Sequence, residues 1–334
     1  MLSDYLYCML CIQSRILDPF FNLAAEEYLL RNSREEIFML WQSNPVVVVG
    51  KHQNTLAEIN YRYVSANGIP VARRLTGGGT VFHDAGNVNF TFIRKGEPGK
   101  MVNFAAFIAP VISFLQKLGI EAARGLKNEI LVNGKKISGN AEHVYKDMVL
   151  HHGTLLFNAD LDKLAQSIRP GSGRFIDRAV QSNRSSVTNL SGCMQSPMKT
   201  GEFIDRFMQD ILTSYDGRLY TLGDSEAAAI EKIALEKYRS WEWIYGWSPD
   251  YTYIHEHCEG KVCMNIELNA HRGMIVSCAL DSPALPGEMC ADLMAKLPGT
   301  SHEEVNIRKL SAECGFNRLL SKADFEDFIL SFFG

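Results

Sequence analysis

Arg73-Arg74-Leu75-Thr76-Gly77-Gly78-Gly79-Thr80-Val81-Phe82-His83-Asp84 is the stretch on which the reading of this chain turns. It continues from Ile69 to Arg73, a run that reads as a strand. Three consecutive glycines let a backbone approach a ligand closely, and successive N–H groups can then converge on an anion. The two arginines supply forked donors for phosphate or carboxylate. A flexible turn between solvated arginines is the plainer reading, but the double arginine directly ahead of the run favours an anion site. No Gly-Lys-Ser/Thr follows, so this is not a Walker loop. No Gly-x-Gly-x-x-Gly opens a helix, so it is not the dinucleotide fingerprint.

Working outward, Asp18-Pro19 starts a helix through Phe20, Leu23, Ala24 and Leu30. Ile37–Trp41 and Val46–Val49 read as short buried strands, and Tyr5–Ile12 as another. Ala57–Ala66 reads as a helix ended by Asn67-Gly68, and Val88–Ile93 as a strand. Asn103–Leu118 is helical, with a bend expected at Pro110. Asn133-Gly134 after Ile130-Leu-Val is a hairpin signal, and alternation recurs in 141–145 and 149–157. Helices are expected near 160–168, 201–214 and 225–239. After Trp247-Ser-Pro249 the texture changes to short strands near 251–257, 261–268 and 274–280, then helices near 287–296 and 322–332. Strands mixed with helices, without strict βαβ alternation, indicate an α+β fold. The division expected is 1–247 and a small second domain, 248–334.

Two further clusters carry chemistry. Asn128 and Glu129 are oxygen ligands of the kind Mg²⁺ accepts beside phosphates. Lys136 precedes Ser138-Gly139 at a strand edge, where an ammonium can reach a pocket or simply protect a sheet edge. His151-His152-Gly153-Thr154 places two histidines on opposite faces of a strand, one inward and one outward, so they are no metal pair. Trp41, Phe82 and Phe90 are candidate walls of an apolar slot, or plain core.

The 334 residues carry 34 Lys+Arg against 38 Asp+Glu, a net charge of −4, which argues against a partner that is nucleic acid. The 46% hydrophobic and 22% charged fractions are those of a globular chain, not a disordered or disulfide-scaffold one. The longest apolar stretch, Phe104–Leu115, falls short of the ~20 residues a membrane span needs. The first residues include Asp4 and no basic run, so no signal peptide is read and a cytoplasmic location is expected. Cys8 and Cys11 stand three apart on a strand and face opposite sides, so they share no metal. Cys258 and Cys263, with His255 and His257, form only a loose cluster. No cysteine lies between Ile12 and Gly192.

Taken together these residues resemble the signature of lipoate–protein ligases, within the biotin/lipoate ligase superfamily. The glycine-run stretch extended to Asn87, then Lys136-Ile-Ser-Gly-Asn-Ala, then His151-His-Gly-Thr-Leu-Leu are that family's landmarks in order. Asp18-Pro-Phe-Phe-Asn-Leu-Ala-Ala-Glu-Glu27 resembles its first helix, and Ser240-Trp-Glu-Trp243 with Gly246 the end of its catalytic domain. The resemblance implies a catalytic domain with mixed sheets and flanking helices, plus a small α+β C-terminal domain. It implies that lipoate and ATP, with Mg²⁺, form lipoyl-AMP. The lipoyl group then passes to a lysine of a carrier, either an E2 lipoyl domain of a 2-oxoacid dehydrogenase or glycine-cleavage H protein. By the same resemblance, Arg74 contacts the nucleotide and Gly77, Gly78, Gly79, Thr80, Val81 and Phe82 line its site. Lys136 touches both acyl carbonyl and phosphate, and Asn87 and His152 are pocket positions. The family often has Asn-Asp where this chain has Asn128-Glu129. A rival of the same fold that transfers acyl groups through a thioester needs a cysteine nucleophile, which the empty interval from Ile12 to Gly192 disfavours. A transferase that uses preformed lipoyl-AMP would carry nearly the same signature, and a non-catalytic binding protein is disfavoured by the presence of all three clusters.

Overall fold

The structure, a computed structural model, describes residues 9–334 apart from 169, 170, 172, 184, 260 and 261, and the side chains of 257–259, 262 and 263. Cys8 and half of the expected first strand, residues 5–8, therefore lie outside the described residues, as do the His257, Cys258 and Cys263 side chains. In chain order come β1 (Leu10–Gln13), α1 (Pro19–Asn32), β2 (Ile37–Trp41), β3 (Val46–Val49), α2 (Thr55–Glu58), α3 (Tyr61–Ala66), β4 (Val71–Arg73), β5 (Val81–His83) and β6 (Asn87–Lys95). Then follow α4 (Phe104–Lys117), β7 (Ala122–Arg124), β8 (Ile130–Val132), β9 (Lys135–Ser138), β10 (Asn140–Tyr145), β11 (Met148–Leu156), α5 (Leu161–Ser167) and β12 (Arg174–Asp177). The remainder is α6 (Thr200–Ser214), β13 (Arg218–Leu219), α7 (Asp224–Ile233), β14 (Tyr251–Glu259), β15 (Val262–His271), β16 (Met274–Asp281), α8 (Gly287–Lys296), α9 (Glu304–Glu313), α10 (Phe316–Leu319) and α11 (Lys322–Leu330).

Local chemistry explains most boundaries. Asp18 caps α1, its Oδ1 accepting from the N–H of Phe20 at 2.9 Å and Phe21 at 3.4 Å, with Pro19 pre-set for the first turn. The single helix expected over 57–66 is two helices, because Asn60 breaks the run. Its side chain caps Tyr63 at 3.1 Å while its own N–H goes to Ser167 O. Pro110 sits inside a continuous α4; the carbonyl that it deprives of a helical partner belongs to Ala106, an exposed residue. The expected helix over 225–239 becomes α7 followed by wider π turns at Ala234–Tyr238 and Glu242–Gly246.

The main sheet has the order β10-β11-β6-β2-β1-β13 and is mixed: β2, β1 and β13 are parallel, the other pairs antiparallel. Both faces are covered, which is why Ile37–Trp41 is apolar throughout. Phe38 and Leu40 join one core with α4 and α6, whereas Ile37, Met39 and Trp41 join another with α1 and α7. A three-stranded sheet β4-β3-β5 and a second, β7-β8-β9, flank it. A four-stranded antiparallel sheet, β12-β14-β15-β16, shares a core with the last helices. Its β12 comes from Arg174–Asp177, and pairs with Tyr251–Ile254. Tyr61 stacks on Phe333 at 4.3 Å, and Arg62 pairs with Asp327 at 2.8 Å, joining α3 to the C-terminal helices.

Candidate active site

The glycine run leaves β4 and doubles back along the β3 loop, with Arg74 N–H bonded to Val49 O at 3.1 Å and Lys51 N–H to Thr76 O at 2.8 Å. Its two arginines part company. Arg73, fully buried, points away from the run and donates to the carbonyls of Gly50, Lys51, Gln53, Trp243 and Ile244 and to Thr55 Oγ1 and Ser248 Oγ. The expectation that both arginines serve an anion is thus corrected: alternation along β4 sends Arg73 into the protein, where it meets only backbone and hydroxyl acceptors.

Arg74 fills the loop from inside. Its Nε donates to Thr76 Oγ1 at 3.0 Å, Nη1 to Val48 O at 3.2 Å, and Nη2 to Gly77 O at 2.6 Å and Gly79 O at 2.8 Å. A trans peptide points its N–H opposite to its C=O. Carbonyls 77 and 79 aimed at Arg74 therefore aim the N–H groups of Gly78 and Thr80 the other way, and Thr80 N–H meets Ser182 Oγ at 2.8 Å. Gly78 takes φ +87°, and a side chain at Gly50 would strike Gly78 O at 2.1 Å. Burial pushes the Arg74 pKa down to about 10, against the pull of Glu26.

Two cavities meet here. The inner one, about 210 Å³, is walled by Leu23, Trp41, Val48, Val81 and His83, with Glu26, Arg74 and His152 as its polar side. The outer one, about 710 Å³, has apolar walls from Phe82, Leu156, Leu161, Leu164, Ile168 and Val187, and polar ones from Asn54, Glu58 and Ser182. Lys136 borders both, as do Thr80, Val81, Gly139 and Thr154. Its Nζ passes 3.2 Å from where a side chain at Gly139 would begin. Burial lowers its pKa, Glu129 raises it, and Arg74 and Lys127 lower it further.

The expected site residues distribute plainly. Arg74, Gly78, Gly79, Thr80, Val81, Lys136, His152 and Glu129 line the inner cavity, and Phe82 the outer. Gly77 belongs to the loop without lining either cavity. Asn87 is fully buried behind the wall and donates through Nδ2 to Asn89 Oδ1 at 3.0 Å, leaving Asn89 to face the slot. Asn128, at φ +62°, turns its Oδ1 to Arg124 and lines neither cavity. Of the three aromatics proposed as slot walls, Phe90 is instead core. His151 is its neighbour there, bonded to Glu142 Oε1 at 2.9 Å and stacked on Phe107 at 4.9 Å. His152, on the opposite face, holds Thr76 Oγ1 at 2.7 Å and Glu26 Oε2 at 2.9 Å. His83, with neither ring nitrogen hydrogen-bonded, is driven down to about 3 by burial, Arg74 and His152, and so stays neutral.

Sequence reasoning missed Glu26, Thr76, Gly50, Gln53 and Ser182 as parts of the site. Glu26 alone left a signal, as a carboxylate within an apolar helix that is buried on nearly every side. The other four act through contacts between separate segments: Thr76 with His152, Gln53 with Ser182, and Gly50 against Gly78.

Among the described residues no cysteine lines either cavity. Among the described residues no group of three His, Cys, Asp or Glu side chains could hold a metal, and no helix is long and apolar enough to cross a membrane. A narrow inner cavity backed by Gly78 and Gly79, with Arg74 and Lys136 as its cations, opens into a wider and partly apolar chamber, the build of a small-molecule site with room for an anionic group beside an apolar one. Residues 18–212 match the lipoyl protein ligase A/B catalytic domain. The chain is 34% identical to lipoate–protein ligase 1 of Staphylococcus aureus over 302 residues, 90% of this chain and 92% of that one. It superimposes on P. falciparum LipL1 in complex with lipoate with a TM-score of 0.61 at 22% identity, covering 96% and 98% of the two chains. A bipartite lipoate protein ligase from Thermoplasma acidophilum, studied with its E2 lipoyl domain, aligns with a TM-score of 0.60 at 23% identity, covering 72% and 96%. The chain belongs to the lipoate–protein ligase family and is an enzyme of that class.

Proposed function

We propose that this enzyme performs both half-reactions of ATP-dependent lipoate ligation, with residues 1–247 as the catalytic domain and 248–334 as an accessory one. In the first, a lipoate carboxylate oxygen attacks the α-phosphorus of ATP, the bond to pyrophosphate breaks, and lipoyl-AMP forms. In the second, a carrier lysine amine attacks the acyl carbonyl, AMP leaves with the bonding pair, and the amine loses a proton. The observation that carries this reading is the position of Lys136 between the two cavities, where its side chain borders both.

The first step brings two anions together, so its barrier is largely electrostatic. Arg74 and Lys136 offset that repulsion, while the outward N–H group of Gly78 faces the phosphates and that of Thr80 is held by Ser182 Oγ. Lys136 polarises the acyl carbonyl and steadies the phosphate in both steps. His152 and Asn89, the latter held by Asn87, border the acyl slot. Phe82 and the α5 face offer an apolar seat for the base. Glu129 Oε2 is buried without a hydrogen bond, so one carboxylate oxygen stands ready for Mg²⁺, which would supply charge neutralisation at the phosphates. Asn128 could join it only by releasing Arg124.

The carriers we propose are E2 lipoyl domains and glycine-cleavage H protein, met in the cytoplasm. The test incubates the pure protein with ATP, Mg²⁺, lipoate and an apo lipoyl domain, reading pyrophosphate release and the carrier's mass. Both signals are expected. Carrier modification only from supplied lipoyl-AMP would make the protein a transferase and overturn the first step. Lys136→Ala is expected to slow both half-reactions by ~10²–10³-fold, as loss of a charge-stabilising donor does.

A further inference from the structure

Glu26 lies in the middle of α1 with 3% of its surface exposed, and among the described residues no lysine or arginine pairs with it. Its neighbour Glu27 is held by Lys237 at 2.6 Å, Tyr238 at 2.8 Å and Arg31 at 2.9 Å. A buried carboxylate without such partners costs stability, so its retention calls for a task.

A chain of hydrogen bonds joins it to the glycine loop. Arg74 Nε can only donate, so Thr76 Oγ1 accepts, at 3.0 Å. Thr76 Oγ1 also meets His152 Nε2 at 2.7 Å, and His152 Nδ1 stands 2.9 Å from Glu26 Oε2. Thr91, directly opposite His152 in the β6–β11 register, donates to Glu26 Oε1 at 2.5 Å. One chain of hydrogen bonds thus runs from the guanidinium inside the glycine loop to a carboxylate on α1, and the members of such a chain polarise one another.

We propose that Glu26 is a positioning residue that sets the glycine loop, acting on Arg74 through His152 and Thr76. It shapes the nucleotide face without touching it. The slot wall formed by Glu26 and His152 is therefore rigidly tied to the loop that holds the phosphates. This rests on the nucleotide reading of the loop given above and adds the residue that orients it.

The test is a double-mutant cycle between Glu26→Gln and Thr76→Val, residues with no hydrogen bond between them. AMP affinity is read by calorimetry, and the ATP KM and kcat by pyrophosphate release. Each single change is expected to weaken AMP binding and raise the ATP KM about tenfold, the scale of one lost charge-linked hydrogen bond. The double variant should be no worse than the weaker single one, and Thr76→Ser should recover the wild-type values. Multiplying effects, or a Glu26→Gln variant altered only in lipoate affinity, would overturn the relay. Melting temperatures identify any loss that is merely unfolding, and the Thr76→Val and Thr76→Ser pair then decides alone. If the wild type binds AMP but releases no pyrophosphate, the ligation reading fails while the AMP cycle still judges the relay.

Discussion

Replacing Arg73 by lysine separates a structural arginine from a catalytic one. Arg73 has five N–H donors, and they reach acceptors in two segments, Gly50–Thr55 and Trp243–Ser248, at 2.5–3.1 Å. Both segments back the site: Gly50 carries the glycine loop, and Asn54 walls the outer cavity. A lysine ammonium has three donors radiating from one point, so two are lost and at least two buried carbonyls go unserved. At about 1.5–3 kcal/mol for each charge-assisted bond, Arg73→Lys should cost about 3–6 kcal/mol. With an unfolding entropy of ~2.1 cal/mol/K per residue, or about 0.7 kcal/mol/K for this chain, that lowers the melting temperature by about 4–9 °C. Scanning calorimetry measures the shift, and pyrophosphate release below the transition measures what activity the folded protein keeps. The ATP KM is expected to change less than the stability. An unchanged melting temperature with a raised ATP KM would refute the reasoning and return Arg73 to the phosphates.

Three further outcomes are expected. Gly50→Ala puts a methyl group 2.1 Å from Gly78 O, so the loop must shift, and adenylation should fall ~10²-fold; a rate within twofold of wild type would show that the loop has room. Glu129→Gln should raise the Mg²⁺ concentration for half-maximal pyrophosphate release about tenfold, and an unmoved midpoint would exclude Glu129 as a ligand. His83 and His302 are held by burial at about 3 and about 4, below the ordinary value of 6.5. Between these values the unfolded chain binds more protons, so stability falls as pH drops from about 6.5 towards 4, by up to ~1.4 kcal/mol per pH unit for each histidine. His83→Leu should flatten the melting temperature's acid slope by about one proton; an unchanged slope would mean that His83 is not held neutral.

Much of the fold was legible in the sequence. Asp18-Pro19 announced α1 because capping is local chemistry, and the unbroken apolar run Ile37–Trp41 announced a strand covered on both faces. What failed was non-local. Asn60 split a helix because its N–H found Ser167, and β12 formed because Arg174–Asp177 found a strand seventy-odd residues further on. The short β5, Val81–His83, hid behind the glycine run whose continuation it is.

The sequence by itself determined the cationic, glycine-rich loop, the lysine beside Ser-Gly, the alternation that sends His151 and His152 to opposite faces, and the absence of a thiol nucleophile from Ile12 to Gly192. Each follows from residue type and the period of a strand or turn. The resemblance named Arg74, but only the tertiary structure shows why it, and not Arg73, faces the site. Arg73 and Arg74 are chemically equal in sequence, but one meets the carbonyls of Trp243 and Ile244 and the other fills the loop. It also decided that Glu26 rather than Glu27 serves the loop, since the two adjacent acids differ only in the side of α1 they occupy. A buried polar group takes its task from the partners that folding brings to it, and for Glu27 one of those partners, Tyr238, lies 211 residues away.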